Sequence, residues 1–214
     1  MERIDKIIVA QTKYSRKEVK ELVKQKRVKV NGEIINKSEI KIDSMVDEIT
    51  IDGKKIQIKK YIYLMLNKPK GYISATEDRN MQTVLELVPK EYSHRNLFPA
   101  GRLDRDTTGL MIITDDGEFA HNILSPKKHI KKTYNVTLDI PVTGDMVQGF
   151  KNGVILNDGE CKSAILEITG KNTGIVTLTE GRYHQIKRMF GCYGAKVVEL
   201  HRVGMGNFTL PDDL

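Results

Sequence analysis

Apolar residues recur at helical spacing from the start of the chain, where Ile4, Ile7 and Ile8 stand in "RIDKIIVA". After a polar break at 11–14 the pattern resumes in "SRKEVKELVKQKR". There Val19, Leu22 and Val23 form one apolar stripe, and Ser15 with Glu18 three positions on is a capping box, which satisfies backbone donors at a helix start. Two short helices are predicted. "RVKVNGEII" then alternates apolar and polar positions on both sides of Asn31-Gly32, a pair that accepts the left-handed backbone of a tight hairpin. A helix pair and a small β element thus fill residues 1–60, with a linker expected at 56–61.

Beyond the linker the period changes. Segments of strand character at 61–66, 110–114, 133–138, 164–168 and 175–179 are separated by shorter helical patterns, including 118–124 and 184–193. The order is mixed, so an α+β fold is expected, a small first domain followed at 61–214 by a second built on a largely antiparallel sheet. The sequence shows neither an internal repeat nor a phosphate-cradling glycine loop.

Charge sharpens this division. Of the formal net charge of +7, residues 1–30 hold +6, from ten Lys or Arg against four Asp or Glu. Clustered cations neutralise phosphates, so the polar face of the second helix, with Arg16, Lys17, Lys20, Lys24 and Arg27, is a candidate nucleic-acid contact. A merely solvated basic face is the competing reading. No run approaches the ~18 apolar residues of a membrane helix, and Glu2, Arg3, Asp5 and Lys6 interrupt any signal-peptide core, so a cytoplasmic protein is expected. Cys161 and Cys192 are too few for a disulfide framework and too far apart for a zinc site; reduced, structural thiols are expected.

Two stretches concentrate candidate chemistry. In "GRLDRDTTGL", residues 101–110, Gly101 and Gly109 permit tight backbone geometry and the apolar run from Leu110 can anchor a strand, which places Asp104 and Asp106 on a loop at the edge of the core. Asp106-Thr107 reads as a turn in which the carboxylate bonds its own backbone. Asp104, flanked by Arg102 and Arg105, has no such simple explanation. In "EGRYHQIKRMF", a helix from about Tyr183 would bury Ile186, Met189, Phe190 and Tyr193 and leave His184, Lys187 and Arg188 on one polar side. His184 alone reads as a packing or hydrogen-bonding residue. A carboxylate at the edge of a core is a useful nucleophile only when ionised, and a neighbouring cation favours that form. Tyr134, in "KKTY", begins a strand and could be core or a stacking platform for a base.

Residues 3–35, "RIDKIIVAQTKYSRKEVKELVKQKRVKVNGEII", resemble the S4 RNA-binding module, in which the second helix and following hairpin lie against structured RNA. In this order behind it, "NKPKGYISAT", "GRLDRDTTGLMIITDDGEFAHNILSP", "KKTYNVTL" and "EGRYHQIKRMF" resemble the RsuA branch of the pseudouridine synthases, which act on small-subunit ribosomal RNA. The resemblance implies isomerisation of one uridine in 16S ribosomal RNA, without cofactor or metal, by a monomeric enzyme that meets naked RNA or an assembly intermediate and no membrane. It puts the catalytic aspartate at Asp104, a base-stacking role at Tyr134, a cation paired with the carboxylate at Lys187, and a part in holding the nucleotide out of its helix at Arg102. Arg105, Lys68, Arg182, His184 and Arg188, in the same motifs, are expected to meet RNA. The chain stops at "FTLPDDL", short of the tail that most relatives of this branch carry. Two other readings stand beside this one: a metal-dependent transferase using Asp104 and Asp106 as a D-x-D site, and a non-catalytic RNA-binding or assembly factor.

Overall fold

The structure, a computed structural model, describes residues 1–214. Its contacts divide the chain into two compact units, one of residues 1–62 with 88–96, the other of residues 63–87 with 97–214.

The first unit opens with helices α1 (Ile4–Gln11) and α2 (Arg16–Lys24). Ser15 and Glu18 close the anticipated capping box, the Glu18 amide donating to Ser15 Oγ at 3.3 Å and the Ser15 amide to Glu18 Oε2 at 2.7 Å. Strands β1 (Val28–Val30) and β2 (Glu33–Ile34) flank Asn31 and Gly32, whose φ values of 50° and 86° are those the tight turn requires. Strands β3 (Ile49–Ile51) and β4 (Lys54–Lys55) complete a four-stranded sheet in the order β2-β1-β3-β4. The stripes from both helices, Ile4, Ile7, Ile8, Val19, Leu22 and Val23, bury against Val28, Ile49 and Ile51. The expected linker is better anchored than its composition suggests. Ile56 and Ile58 pack on this core, the Gln11 side chain makes paired bonds to the Lys59 backbone, and Arg95, in the segment that rejoins the unit, donates to the carbonyls of Ala10, Lys59 and Lys60.

The second unit is a mixed, mostly antiparallel sheet with helices. Its main elements are β5 (Tyr63–Lys68), β6 (Thr108–Thr114), α3 (Gly117–Leu124), β7 (Lys132–Leu138), α4 (Gly144–Asn152), the short hairpin β8 (Ile155–Leu156) and β9 (Gly159–Glu160), β10 (Ile165–Ile168), β11 (Thr173–Leu178), α5 (Gln185–Gly191) and β12 (Val197–Met205). The sheet runs β10-β11-β7-β12-β6-β5, with Phe98–Pro99 added beside β6 and Phe208–Thr209 beside β12. Only β12 and β6 pair in parallel, His201 opposite Thr108 and Arg202 opposite Gly109. That pairing sets the end of β6 nearest the "GRLDRDTTG" loop. Gly109 has φ 100°, and a Cβ there would lie 2.2 Å from the Arg202 carbonyl oxygen, so only glycine lets the strands approach this closely. Beneath, Leu110, Ile112 and Met205 pack with Ala120 and Ile123 of α3, while Phe150 of α4 and Phe190 of α5 meet with ring centroids 4.7 Å apart. No helix is long and apolar enough to cross a membrane.

Candidate active site

Asp104 sits on the loop between Phe98–Pro99 and β6, and the backbone on both sides of it is held. The Leu103 amide donates to Ser74 Oγ at 2.9 Å, the Ser74 hydroxyl donates back to the Leu103 carbonyl at 2.8 Å, and the Leu103 side chain is buried. Burial of a leucine contributes ~1.5–3 kcal/mol, enough to pin a short loop. On the other side the Lys68 ammonium donates to the carbonyls of Thr107 at 2.8 Å, Pro69 at 3.1 Å and Arg105 at 3.3 Å. Lys68 is 0% exposed. The RNA contact expected of it does not fit this placement: its ammonium lies under the loop, bonded to three carbonyls and removed from solvent. Burial draws its pKa down to about 8, against the attraction of Asp106 and Asp104.

With its backbone fixed, the Asp104 carboxylate is 29% exposed and faces α5. Lys187 Nζ lies 3.0 Å from Asp104 Oδ2 and 2.6 Å from Asp106 Oδ1, so one ammonium bridges both carboxylates. Burial works to lower the Lys187 pKa, but its bonds to Asp106 and Asp104 outweigh that and raise it above the ordinary lysine value. The Lys187 bond also holds the Asp106 carboxyl below its usual range, with a smaller contribution from the Asp106 backbone. The turn expected at Asp106 is therefore part of the answer; its 71% exposed side chain is also an ion-pair partner. An ammonium between the two carboxylates leaves them poorly placed as a D-x-D metal pair. No three His, Cys, Asp or Glu side chains group as metal ligands, and Cys161 and Cys192 are free thiols.

The helix expected from Tyr183 begins two residues later, at Gln185. His184 adopts φ 48°, a left-handed conformation uncommon outside glycine, and so turns its ring toward the loop with Nε2 3.5 Å from Asp104 Oδ1. The Tyr183 ring stacks on it at 3.8 Å between centroids. Ile186, Met189 and Phe190 are buried as expected, and Tyr193 is half-buried just beyond the helix.

Asp104, His184 and Lys187 open on a cavity of about 790 Å³, whose walls include Arg102, Tyr134, Lys132 and Arg202. This size suits a nucleoside-scale ligand. Tyr134, 8% exposed on β7, lies directly opposite Arg202 on β12. Arg102 is exposed at the wall. Other sequence candidates have partners of their own. Arg105 is exposed and donates to the Gly71 carbonyl at 3.2 Å. Arg182 lines the cavity but donates to the carbonyls of Gly159 at 2.8 Å and Glu160 at 2.6 Å, which ties it to the β8–β9 hairpin. Arg188 is outside the wall; it forms an ion pair with Asp158 and bonds the Tyr183 carbonyl, so its expected RNA contact is not supported by its placement. In the first unit Arg16 and Lys17 are exposed without a salt bridge, Lys20 is 3.8 Å from Glu39, Lys24 is 2.9 Å from Glu21, and Arg27 is held by both oxygens of Asp52 at 2.7 and 2.6 Å. Sequence reasoning passed over Ser74, Lys132 and Arg202. The "KKTY" run contains Lys132 but was read for Tyr134 alone, and nothing local to "HRVG" marks its arginine as buried.

Residues 62–191 match the family model described as RNA pseudouridylate synthase, and residues 2–47 match that of the S4 domain. The chain is 42% identical over 215 residues to the ribosomal small subunit pseudouridine synthase A of Escherichia coli strain K12, covering 99% of this chain and 92% of that relative. It is 40% identical over 213 residues to YtzG of Bacillus subtilis strain 168, named an uncharacterized RNA pseudouridine synthase, covering 97% and 89%. Among solved structures, one titled a crystal structure of pseudouridylate synthase aligns with TM-score 0.69 at 38% identity, over 100% of this chain and 93% of that one.

Proposed function

The chain belongs to the RNA pseudouridylate synthase family, an RNA-binding isomerase with an S4 domain, and from that membership we propose that its substrate is one uridine of small-subunit (16S) ribosomal RNA. The reaction cleaves the bond between uracil N1 and the sugar C1′, turns the base, and joins C5 to C1′; the C5 proton is lost and N1 gains one. Asp104 is the reacting carboxylate in this proposal. The observation that carries it is the bridging Lys187, which keeps Asp104 paired with a cation at the wall of a nucleoside-sized cavity on a loop fixed from both sides.

Tyr134, on the sheet face lining that cavity, supplies a ring against which an extruded uracil stacks. Extrusion is needed because the atoms to be attacked are hidden in a base-paired stack. Arg102 at the wall and His184 beside the carboxylate are placed to meet the nucleotide, Arg105 and Arg182 adding positive charge nearby. Residues 1–60 dock the RNA through Arg16, Lys17 and Lys20, the cations of α2 least engaged by acidic partners; Lys24 and Arg27 contribute less while bonded to Glu21 and Asp52. The second unit, residues 63–87 with 97–214, carries the chemistry.

The deciding experiment maps pseudouridines in total RNA from matched cells with and without the gene. One small-subunit position losing its pseudouridine supports the substrate. Loss of a position in another RNA would leave the enzyme class intact and reject the 16S reading.

A further inference from the structure

The wall of the cavity carries two cations that the roles above leave unused. Lys132 and Tyr134 are two apart on β7 and so share a face of the sheet, and Arg202 lies opposite Tyr134 on the antiparallel β12, on that same face. Arg202 is 2% exposed. Its Nε donates to the Leu110 carbonyl at 2.7 Å, but the buried Nη2 has no hydrogen-bond partner. Neither cation has a carboxylate partner: Lys132 makes one long bond, 3.4 Å, to the Ile130 carbonyl, and its pKa is lowered first by burial and then by the positive charge of Arg202. Two like charges beside one aromatic ring, one of them buried with an idle donor, are costly in the empty site. The cost is relieved when negative charge arrives there.

We infer that Arg202, with Lys132 beside it, stabilises the negative charge that the uracil ring acquires during the reaction. The inference rests on the reading of this cavity as the uridine site. If Asp104 attacks the sugar, the C1′–N1 electron pair leaves with the base and spreads onto its two carbonyl oxygens. If Asp104 adds to the ring at C6, the C5–C6 π pair moves toward the C4 carbonyl oxygen. Either way an oxygen of a base stacked on Tyr134 becomes anionic. The charge leaves the ring as C5 bonds to C1′; the bond to Asp104 breaks with its electron pair returning to the carboxylate, the C5 proton is lost and N1 gains one. A neutral uracil in the ground state draws less from these cations than the charged ring does, which is the condition for speeding a reaction rather than merely tightening binding. A phosphodiester is a poorer match, because it is tethered on both sides to the strand and strongly hydrated, whereas a planar base can enter as far as a residue almost wholly removed from solvent.

The test uses full-length enzyme and total RNA tritiated at uridine C5, from cells lacking the gene, with tritium release to water as the readout under single-turnover conditions. Arg202→Gln should lower the rate at saturating enzyme by ~10²–10³-fold, Arg202→Lys should recover part of that loss, and Lys132→Gln should cost ~10-fold. The enzyme concentration at half-saturation should stay within ~2-fold and the salt dependence of binding should not change. A binding slope shallower by ~0.7 with an unchanged saturating rate would make these residues phosphate contacts and overturn the inference. Unchanged rate and binding in Lys132→Gln would overturn it as well, and that variant decides alone if both Arg202 substitutions fail to fold. Release by wild type separates these outcomes from failure of the uridine reading itself, in which wild type would release nothing.

Discussion

At the scale of single residues, the site turns on one ammonium shared by two unequal carboxylates. Asp104→Asn keeps size and polarity but removes the carboxylate to which the proposal gives the reaction, and it is expected to lower isomerisation on the order of 10³-fold or more with RNA affinity within ~2-fold. Asp106→Asn removes only the more exposed partner of Lys187. Exposed ion pairs are worth ~0–1 kcal/mol, so a rate loss under ~10-fold is expected. Single-turnover tritium release from the two variants checks the contrast, and equal losses would mean that Asp106 acts in the reaction. The Asp104 and Lys187 pairing was legible through the family resemblance that their two distinctive motifs carry, and the two side chains lie 3.0 Å apart. Lys68 was misread for a physical reason: a lysine before Pro-Lys looks like surface, and only the fold reveals three carbonyls waiting beneath it.

Among the elements, the end of β5 and the start of β6 act as one support for the loop. Lys68 has a folded pKa of about 8, below its ordinary value of ~10.4, so between these the unfolded chain binds more protons than the folded one. Stability should therefore rise with pH across that window. Urea unfolding of wild type and Lys68→Met at pH 7 and pH 10 checks this: the stability of wild type relative to the variant should increase, and a flat or falling difference would contradict the buried charge. Gly109→Ala places a methyl 2.2 Å from the Arg202 carbonyl oxygen at a φ of 100°, and should cost more than ~2 kcal/mol or abolish activity by displacing the loop. An alanine variant with wild-type stability and rate would show that β6 and β12 can separate freely. The strand that receives Gly109 escaped the sequence pattern altogether. In β12 the inward positions include Leu200 and Arg202, and the arginine occupies a place where an apolar side chain would have completed the alternation. The helix α4 was hidden by Gly149, a poor helix former; a Cβ there would fall 1.5 Å from Tyr193 Oη, so the tyrosine ring packs against it closely. The capped helix α2 and the Asn-Gly hairpin, by contrast, rest on neighbours in sequence and were readable from it.

For the whole molecule, the first unit's charge should govern how tightly RNA is held, and the second unit's loop how fast it reacts. Replacing Arg16, Lys17 and Lys20 together by glutamine is expected to reduce the log-log salt slope of RNA binding by about 2 to 3 while leaving the saturating single-turnover rate unchanged. Binding measured from low to moderate salt checks this, and an unaltered slope would make the basic face a solvated surface. The order of strands has a further consequence, for the enzyme's birth. Because β12 lies between β7 and β6, the strands β10, β11 and β7 have no partner in β5 and β6 until residues 197–205 arrive. Translation delivers the chain from its amino terminus, and pairings distant in sequence form late. A nascent chain can thus assemble the helices proposed to dock RNA while Asp104 still lacks the strand that sets its loop, so that the growing polypeptide is expected to grip RNA before it can alter a base.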